Sequence, residues 1–191
     1  MPRCYSAVMR QRQTLNASNL PRTWLVSDAR NDAGLEQALR RLPRGSGLIF
    51  RHYHLDPAAR RTRFARLARA ARRRGHLIAL SGSVALARQW RADAAYGSPS
   101  SLASGPAYPR LVTAHSLKEL ARARPVRAAA VLLSPVYPTR SHLGARTLGP
   151  LRFRLIAART GIPVIALGGM NPRRAARLGA HRWAAIDGLC P

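Results

Sequence analysis

The chain has 191 residues and 20.9 kDa, the size of one domain, and its 47% hydrophobic content supplies a core, which excludes disorder along the whole length. Its 33 Lys+Arg against 7 Asp+Glu give a net charge of +26 and a pI near 12.0, a balance that ordinarily points to nucleic acid, an anionic membrane surface or acidic small molecules. Every basic residue but Lys118 is arginine, so codon preference accounts for the excess as readily as a built patch does. The longest apolar runs, such as 162–167, fall far short of the ~20 residues of a transmembrane helix, so no membrane span is expected.

Residues 1–20 scatter Arg3, Arg10 and Arg12 among polar residues without the apolar stretch of a secretion signal. They read as a flexible N-terminal tail, with residues 21–191 forming the domain. Cys4 and Cys190 have no metal-ligand spacing and read as free thiols in a reducing cytoplasm, with a bridge between them as the alternative. Short apolar runs then recur at 24–26, 48–50, 77–80, 94–96, 111–112, 130–133, 164–167 and 183–186. Most are continuously apolar, as strands covered on both faces require.

Helix signals fall between the runs. Asp56-Pro57 reads as an N-cap followed by proline at the first helical position, and Phe64, Leu67, Ala68 and Ala71 then share one face. Ser116 and Glu119 form a capping box. Asn171-Pro172 opens another helix, with Ala175, Ala176 and Leu178 as its apolar face. The stretch 97–109, rich in Gly, Ser and Pro, leaves little room for a helix. Eight β-then-α units predict a single, compact (β/α)8 (TIM) barrel, short against the usual ~250 residues; a doubly wound open sheet is the alternative.

In such a barrel the active site lies at the C-terminal ends of the strands, with phosphate commonly bound after the seventh and eighth. Gly168-Gly169 follows the seventh run and precedes the Asn171 helix start, so its backbone can approach an anion while the helix directs N–H groups at it. A tight turn is the plainer reading of that pair. After the sixth run, 134–142 combines Pro135 and Pro138 with Thr139, Arg140, Ser141 and His142, donors and charge suited to an anionic ligand. His52, His54 and His76 lack zinc spacing, and no metal site is expected.

These two segments resemble the family of thiamine phosphate synthase and the TenI-type thiazole tautomerases, which are (β/α)8 barrels with a G/S-P-V-F/Y-x-T-x-S/T loop after strand six and an I-P-V-I-A-I/L-G-G-M-x-P segment after strand seven. The resemblance spans roughly residues 23–188. It implies phosphate binding by the Gly168 and Gly169 backbone, thiazole-phosphate contacts from Thr139 and Ser141, and an anion-side role for Arg51. It also exposes departures. The synthase's Mg²⁺ carboxylates would fall at Ser81-Gly82-Ser83 and in Gly97-Ser98-Pro99-Ser100, where none stands. Tyr53 and His142 replace lysines, and Asp187 takes the place of a serine beside the phosphate.

The resemblance therefore implies a cytoplasmic thiamine-pathway barrel that binds a phosphorylated thiazole without a metal or other cofactor. Its reaction is tautomerase-like, with His115 moving a proton between ring carbon and nitrogen; helix capping is the plainer role for His115. One alternative is synthase activity on thiazole phosphate and an aminopyrimidine diphosphate, with Arg51, Arg140 and His142 in place of Mg²⁺. Another is a non-catalytic barrel that senses a ligand or binds nucleic acid through the arginine-rich stretch 60–74, although a solvated helical face is the simpler reading. A homodimer stays open.

Overall fold

The computed structural model describes residues 15, 18–140, 144 and 146–190. Its eight strands are β1 (Thr23–Val26), β2 (Gly47–Phe50), β3 (Leu77–Ser81), β4 (Ala94–Gly97), β5 (Arg110–Ala114), β6 (Ala130–Leu133), β7 (Val164–Ala166) and β8 (Trp183–Ala185). They pair in chain order, all parallel, and β8 returns to β1 to close the barrel. Each strand overlaps one of the apolar runs, and the (β/α)8 expectation holds over the open-sheet alternative.

Helices α1 (Leu35–Arg41), α2 (Pro57–Arg72), α3 (Val84–Gln89), α4 (Leu117–Ala121), α5 (Gly149–Ala157) and α6 (Pro172–Leu178) pack outside. Asp56 caps α2 by accepting from the Ala58 and Ala59 N–H groups, and Phe64, Leu67, Ala68 and Ala71 form the buried face anticipated from spacing. Among the described residues no helix joins β4 to β5. The buried Arg110 guanidinium organises that connection instead, donating to the carbonyls of Leu102, Gly105, Pro106 and Tyr108.

Two apolar clusters follow from the two faces of the strands. The outer one lies between strands and helices, built on Leu25, Leu48, Phe50, Ile78, Leu80, Val112 and their helical partners. The inner one fills the barrel with Trp24, Val26, Ile49, Ala79, Ala94, Tyr96, Leu111, Ala130, Leu132, Ile165 and Ala184. Leu15 and Leu20, assigned from sequence to the tail, are buried in this inner cluster. At those two residues the N-terminal segment is part of the barrel.

Trp24 dominates the interior. It is fully buried, its indole N–H donates to the Pro21 carbonyl at 3.0 Å, and its backbone partner on β2 is Gly47. A Cβ on Gly47 would lie 2.1 Å from the indole ring, and neither backbone nor ring can move without disturbing the barrel wall. Gly47→Ala should therefore cost about 1–3 kcal/mol by overpacking, read as a lower urea midpoint. An unchanged midpoint would mean that the indole has room to shift.

Candidate functional site

Strand alternation places Arg51, Ser81, Thr113, Ser134, Leu167 and Ile186 above the inner core at the C-terminal mouth. Three groups of side chains stand there.

The first lies after β7 and β8. A cavity of about 350 Å³ is lined by Thr139, Arg140, Gly168, Gly169, Arg174 and Asp187, among others. Gly168 and Gly169 have φ of +94° and +59°, and a Cβ on either would fall within 2.6 Å of the proline loop, at Pro135 Cα and the Pro138 carbonyl respectively. Only glycine fits both the conformation and the contact. The loop is stitched down by Val136 N–H to the Leu167 carbonyl (2.9 Å) and Tyr137 N–H to the Gly168 carbonyl (3.1 Å). The two glycine N–H groups lie past the last paired residue of β7, Ala166. Arg174 stacks over the Tyr137 ring at 4.9 Å and donates to the Gly169 carbonyl. The Asn171 side chain caps α6 by accepting from Arg174 N–H, which satisfies one of the free amides at the start of that helix.

The second group surrounds His115. Its Nδ1 lies 2.8 Å from the Ser134 carbonyl; because a carbonyl only accepts, Nδ1 carries the hydrogen and Nε2 is left as the basic nitrogen of the neutral ring. The capping box forms with one change of partner: Ser116 accepts from Glu119 N–H, whereas the Glu119 carboxylate accepts from His115 N–H at 2.9 Å rather than from Ser116. His115 is exposed and lines a separate cavity of about 490 Å³ with Ser98, Pro99, Thr113 and Glu119. The structure thus unites Thr139, Arg140, Gly168 and Gly169 in one cavity and sets His115 in the next. Ser141 and His142, like Cys4, lie outside the described residues.

The third group is at β1 and β2. Arg51 lies 3.9 Å from Asp28 and its guanidinium covers the Tyr53 ring at 5.4 Å. Below it, burial pushes the Tyr96 hydroxyl up to about 12, so it stays protonated. Ser27 accepts from Arg51 N–H, and its hydroxyl meets His52 Nδ1 at 2.8 Å, while His52 Nε2 meets Asp32 at 2.7 Å. Ser27 has no exposed surface and His52 only 1%, so this serine–histidine–aspartate chain holds Arg51 in place and offers no nucleophile to a substrate. Asp32 continues to Arg63, and Arg63 to Glu36.

The segments after β3 and β4 present hydroxyls held in local hydrogen bonds: Ser81 Oγ pairs with the Tyr53 hydroxyl, Ser83 Oγ accepts from Leu86 N–H, and Ser98 Oγ pairs with Ser100 Oγ. Among the described residues no three His, Cys, Asp or Glu side chains cluster as a metal site. No helix of the described residues is long and apolar enough to cross a membrane.

Sequence reading passed over Arg174, Arg30 and Asp28, and weighed His52 only as a metal ligand. Nothing distinguishes the first two within so arginine-rich a chain. Asp28 carried a signal, since an acid directly after a strand is notable where only 7 acids exist.

Eight parallel strands closed in chain order, with a glycine turn after β7, define a (β/α)8 barrel protein. The family model described as thiamine monophosphate synthase matches residues 24–189, and the chain belongs to that family. Its fold is similar to thiamine phosphate pyrophosphorylase from Pyrococcus furiosus, at TM-score 0.73 and 21% identity over 92% of this chain and 87% of that one. The corresponding protein from Bacteroides thetaiotaomicron matches at TM-score 0.56 and 15% identity, covering 87% of this chain and 82% of that one. FabK from Thermotoga maritima shares the fold at TM-score 0.67 and 15% identity, with 88% of this chain covered and 58% of FabK. No curated protein matches the chain.

The Ser27-to-Glu36 network sets a pH dependence. Donation by Arg63 holds the Glu36 carboxyl below its ordinary 4.5. Burial raises Asp32, but hydrogen bonds from His52 and Arg63 outweigh it and bring the carboxyl below 3.8. Burial also holds the His52 imidazole below 6.5, more than Asp32 raises it. A depressed folded value gives stability that is complete above the unfolded value and is lost as pH falls through the folded one. The urea midpoint should therefore decline below pH 6.5 as His52 takes a proton, then again below the ordinary carboxylate range. Asp32→Asn should shrink the lower step, and a midpoint flat from pH 7 to pH 3 would contradict this account.

Proposed function

We propose that this barrel binds a phosphorylated thiazole and catalyses a tautomerase-like proton shift with His115 as acid and base. The observation that carries the reading is the hydrogen bond from His115 Nδ1–H to the Ser134 carbonyl at 2.8 Å. It leaves Nε2 able to take a proton, and it anchors the ring on the residue that begins the proline loop. Pro135, the next residue, is in contact with Gly168, so the proton-transfer group and the phosphate cradle flank the same segment.

The Gly168 and Gly169 amides, with Arg174 and Arg140, bind the phosphate, and Thr139 supplies a hydroxyl at the rim. His115 and Gly168 follow β5 and β7, the two neighbours of β6, and so stand two strand spacings apart, roughly 10 Å. A ring joined to its phosphate by a short linker covers that separation. Nε2 removes the ring-carbon proton, the imidazolium is held through Nδ1–H by the Ser134 carbonyl, and the proton returns to the ring nitrogen. Such positioned proton transfer is worth about 10²- to 10⁴-fold in rate.

The synthase reaction draws support from Arg51 at the mouth, but it lacks the charge dispersal that a diphosphate leaving group needs. Incubated in D₂O with a thiazole phosphate, the protein should exchange the ring-carbon hydrogen, followed by NMR, and His115→Asn should slow the exchange by about 10²- to 10⁴-fold. With the aminopyrimidine diphosphate and saturating Mg²⁺ added, no thiamine phosphate should form. Product formation would establish the synthase reading, whereas bound ligand without exchange would favour a sensor.

A further inference from the structure

We propose that the cradle after β7 and β8 selects a phosphate in its protonated, monoanionic form, with the Asp187 carboxylate accepting the P–OH hydrogen. This rests on the phosphate reading of the cradle given above. Among the described residues lining the cavity, Asp187 is the one acid, and it shares that lining with Arg140, Arg174 and the glycine turn.

A carboxylate in that position is informative because of what it cannot do. Carboxylate oxygens only accept, and so do the oxygens of sulfate or of a fully deprotonated phosphate. Brought together, the two groups have no hydrogen to share and repel. A phosphate monoester with a second pKa near 6 can instead retain one hydrogen and form a short, charge-assisted O–H···O⁻ bond. The remaining oxygens then face Arg140, Arg174 and the backbone. Sulfate has the same shape and stays a dianion without a hydrogen, so the cradle tells the two apart.

The surroundings keep Asp187 in this role. Arg30 reaches its Oδ2 at 3.6 Å while donating to Asp28 Oδ1 at 3.0 Å. The pair joins the segments that follow β1 and β8, and it draws one carboxylate oxygen towards β1. At 46% exposure it is a weak ion pair, so it orients the carboxylate without cancelling its charge. The other ionisable neighbour is the Cys190 thiol, which burial pushes up, with Asp187 adding to the effect; it stays neutral beside the acid.

The test measures inorganic phosphate and sulfate binding to the full chain by titration calorimetry at pH 6.5. The ratio of affinities is the readout, because a chain of net charge +26 attracts any anion. The wild type should bind phosphate at least about tenfold tighter than sulfate, the scale of one charge-assisted hydrogen bond. Asp187→Asn should bring the two affinities together, chiefly by strengthening sulfate, with circular dichroism verifying the fold. Arg30→Gln, which removes the counter-ion and keeps the acid, should widen the ratio. Arg174→Gln should weaken both anions alike. Equal wild-type affinities, or a ratio unmoved in Asp187→Asn, would overturn the selection while leaving the cradle standing. If the wild type binds neither anion, the cradle and the selection fall together.

Discussion

One indole ring sets the terms on which this barrel closes. Eight strands of three to five residues enclose an interior that must be filled to crystal-like density, and Trp24 supplies most of the filling towards the N-terminal ends. Its bulk requires the absence of a side chain at Gly47 and is matched by Ala79, Ala94, Ala130 and Ala184 around it. Val26, Ile49, Leu111, Leu132, Ile165 and Tyr96, with Leu15 and Leu20 of the N-terminal segment, complete the interior. The same alternation carries one step further to the mouth, so the packing that closes the barrel also decides which side chains can meet a ligand. Core and site are consecutive layers of one pattern.

Charge is distributed by that axis too. Asp28, Asp32 and Glu36 follow β1, Asp56 and Glu119 stand at the starts of the helices after β2 and β5, and Asp187 follows β8. Asp93 alone precedes a strand, where it accepts from Ile78 N–H. The few acids thus gather at the C-terminal end, and most are occupied in holding particular arginines. Arg63 is fixed by Asp32 and Glu36, and Arg30 by Asp28 and Asp187. In a chain this basic, the few negative charges decide which arginines are held in place.

The fold was legible in the sequence because continuous apolar runs, proline-assisted helix starts and a helix-poor 97–109 stretch each have a local physical cause. The glycine turn was legible for the same reason. What could not be read was partnership across the barrel. His115 is adjacent in sequence to the serine that caps α4, but its tautomer is set by the Ser134 carbonyl just past the next strand. His52 looked like one of several histidines without metal spacing, yet burial between Ser27 and Asp32 makes it the link that seats Arg51. Arg174 gave no sign, since its significance lies in Tyr137 and Gly169, not in its own neighbours along α6. The tail boundary at residue 20 failed at Leu15 and Leu20 because sparse apolar residues in a polar segment carry no period, although two of them suffice to reach the inner core.

The seam between β7 and β8 has a consequence for motion. β7 and β8 have three residues each and share a single paired position, Ala166 with Trp183. The bond from Ala166 N–H to the Arg182 carbonyl extends this ladder, whereas Trp183 N–H donates on the other side, to the Arg22 carbonyl next to β1. Short ladders with few bonds lie at the low end of local stability and open without global unfolding. The Gly168-Gly169 turn follows β7 and Asp187 follows β8, so a ligand held in the proposed cradle would bridge the shortest ladder of the wall. Ligand capture would then also reinforce the barrel.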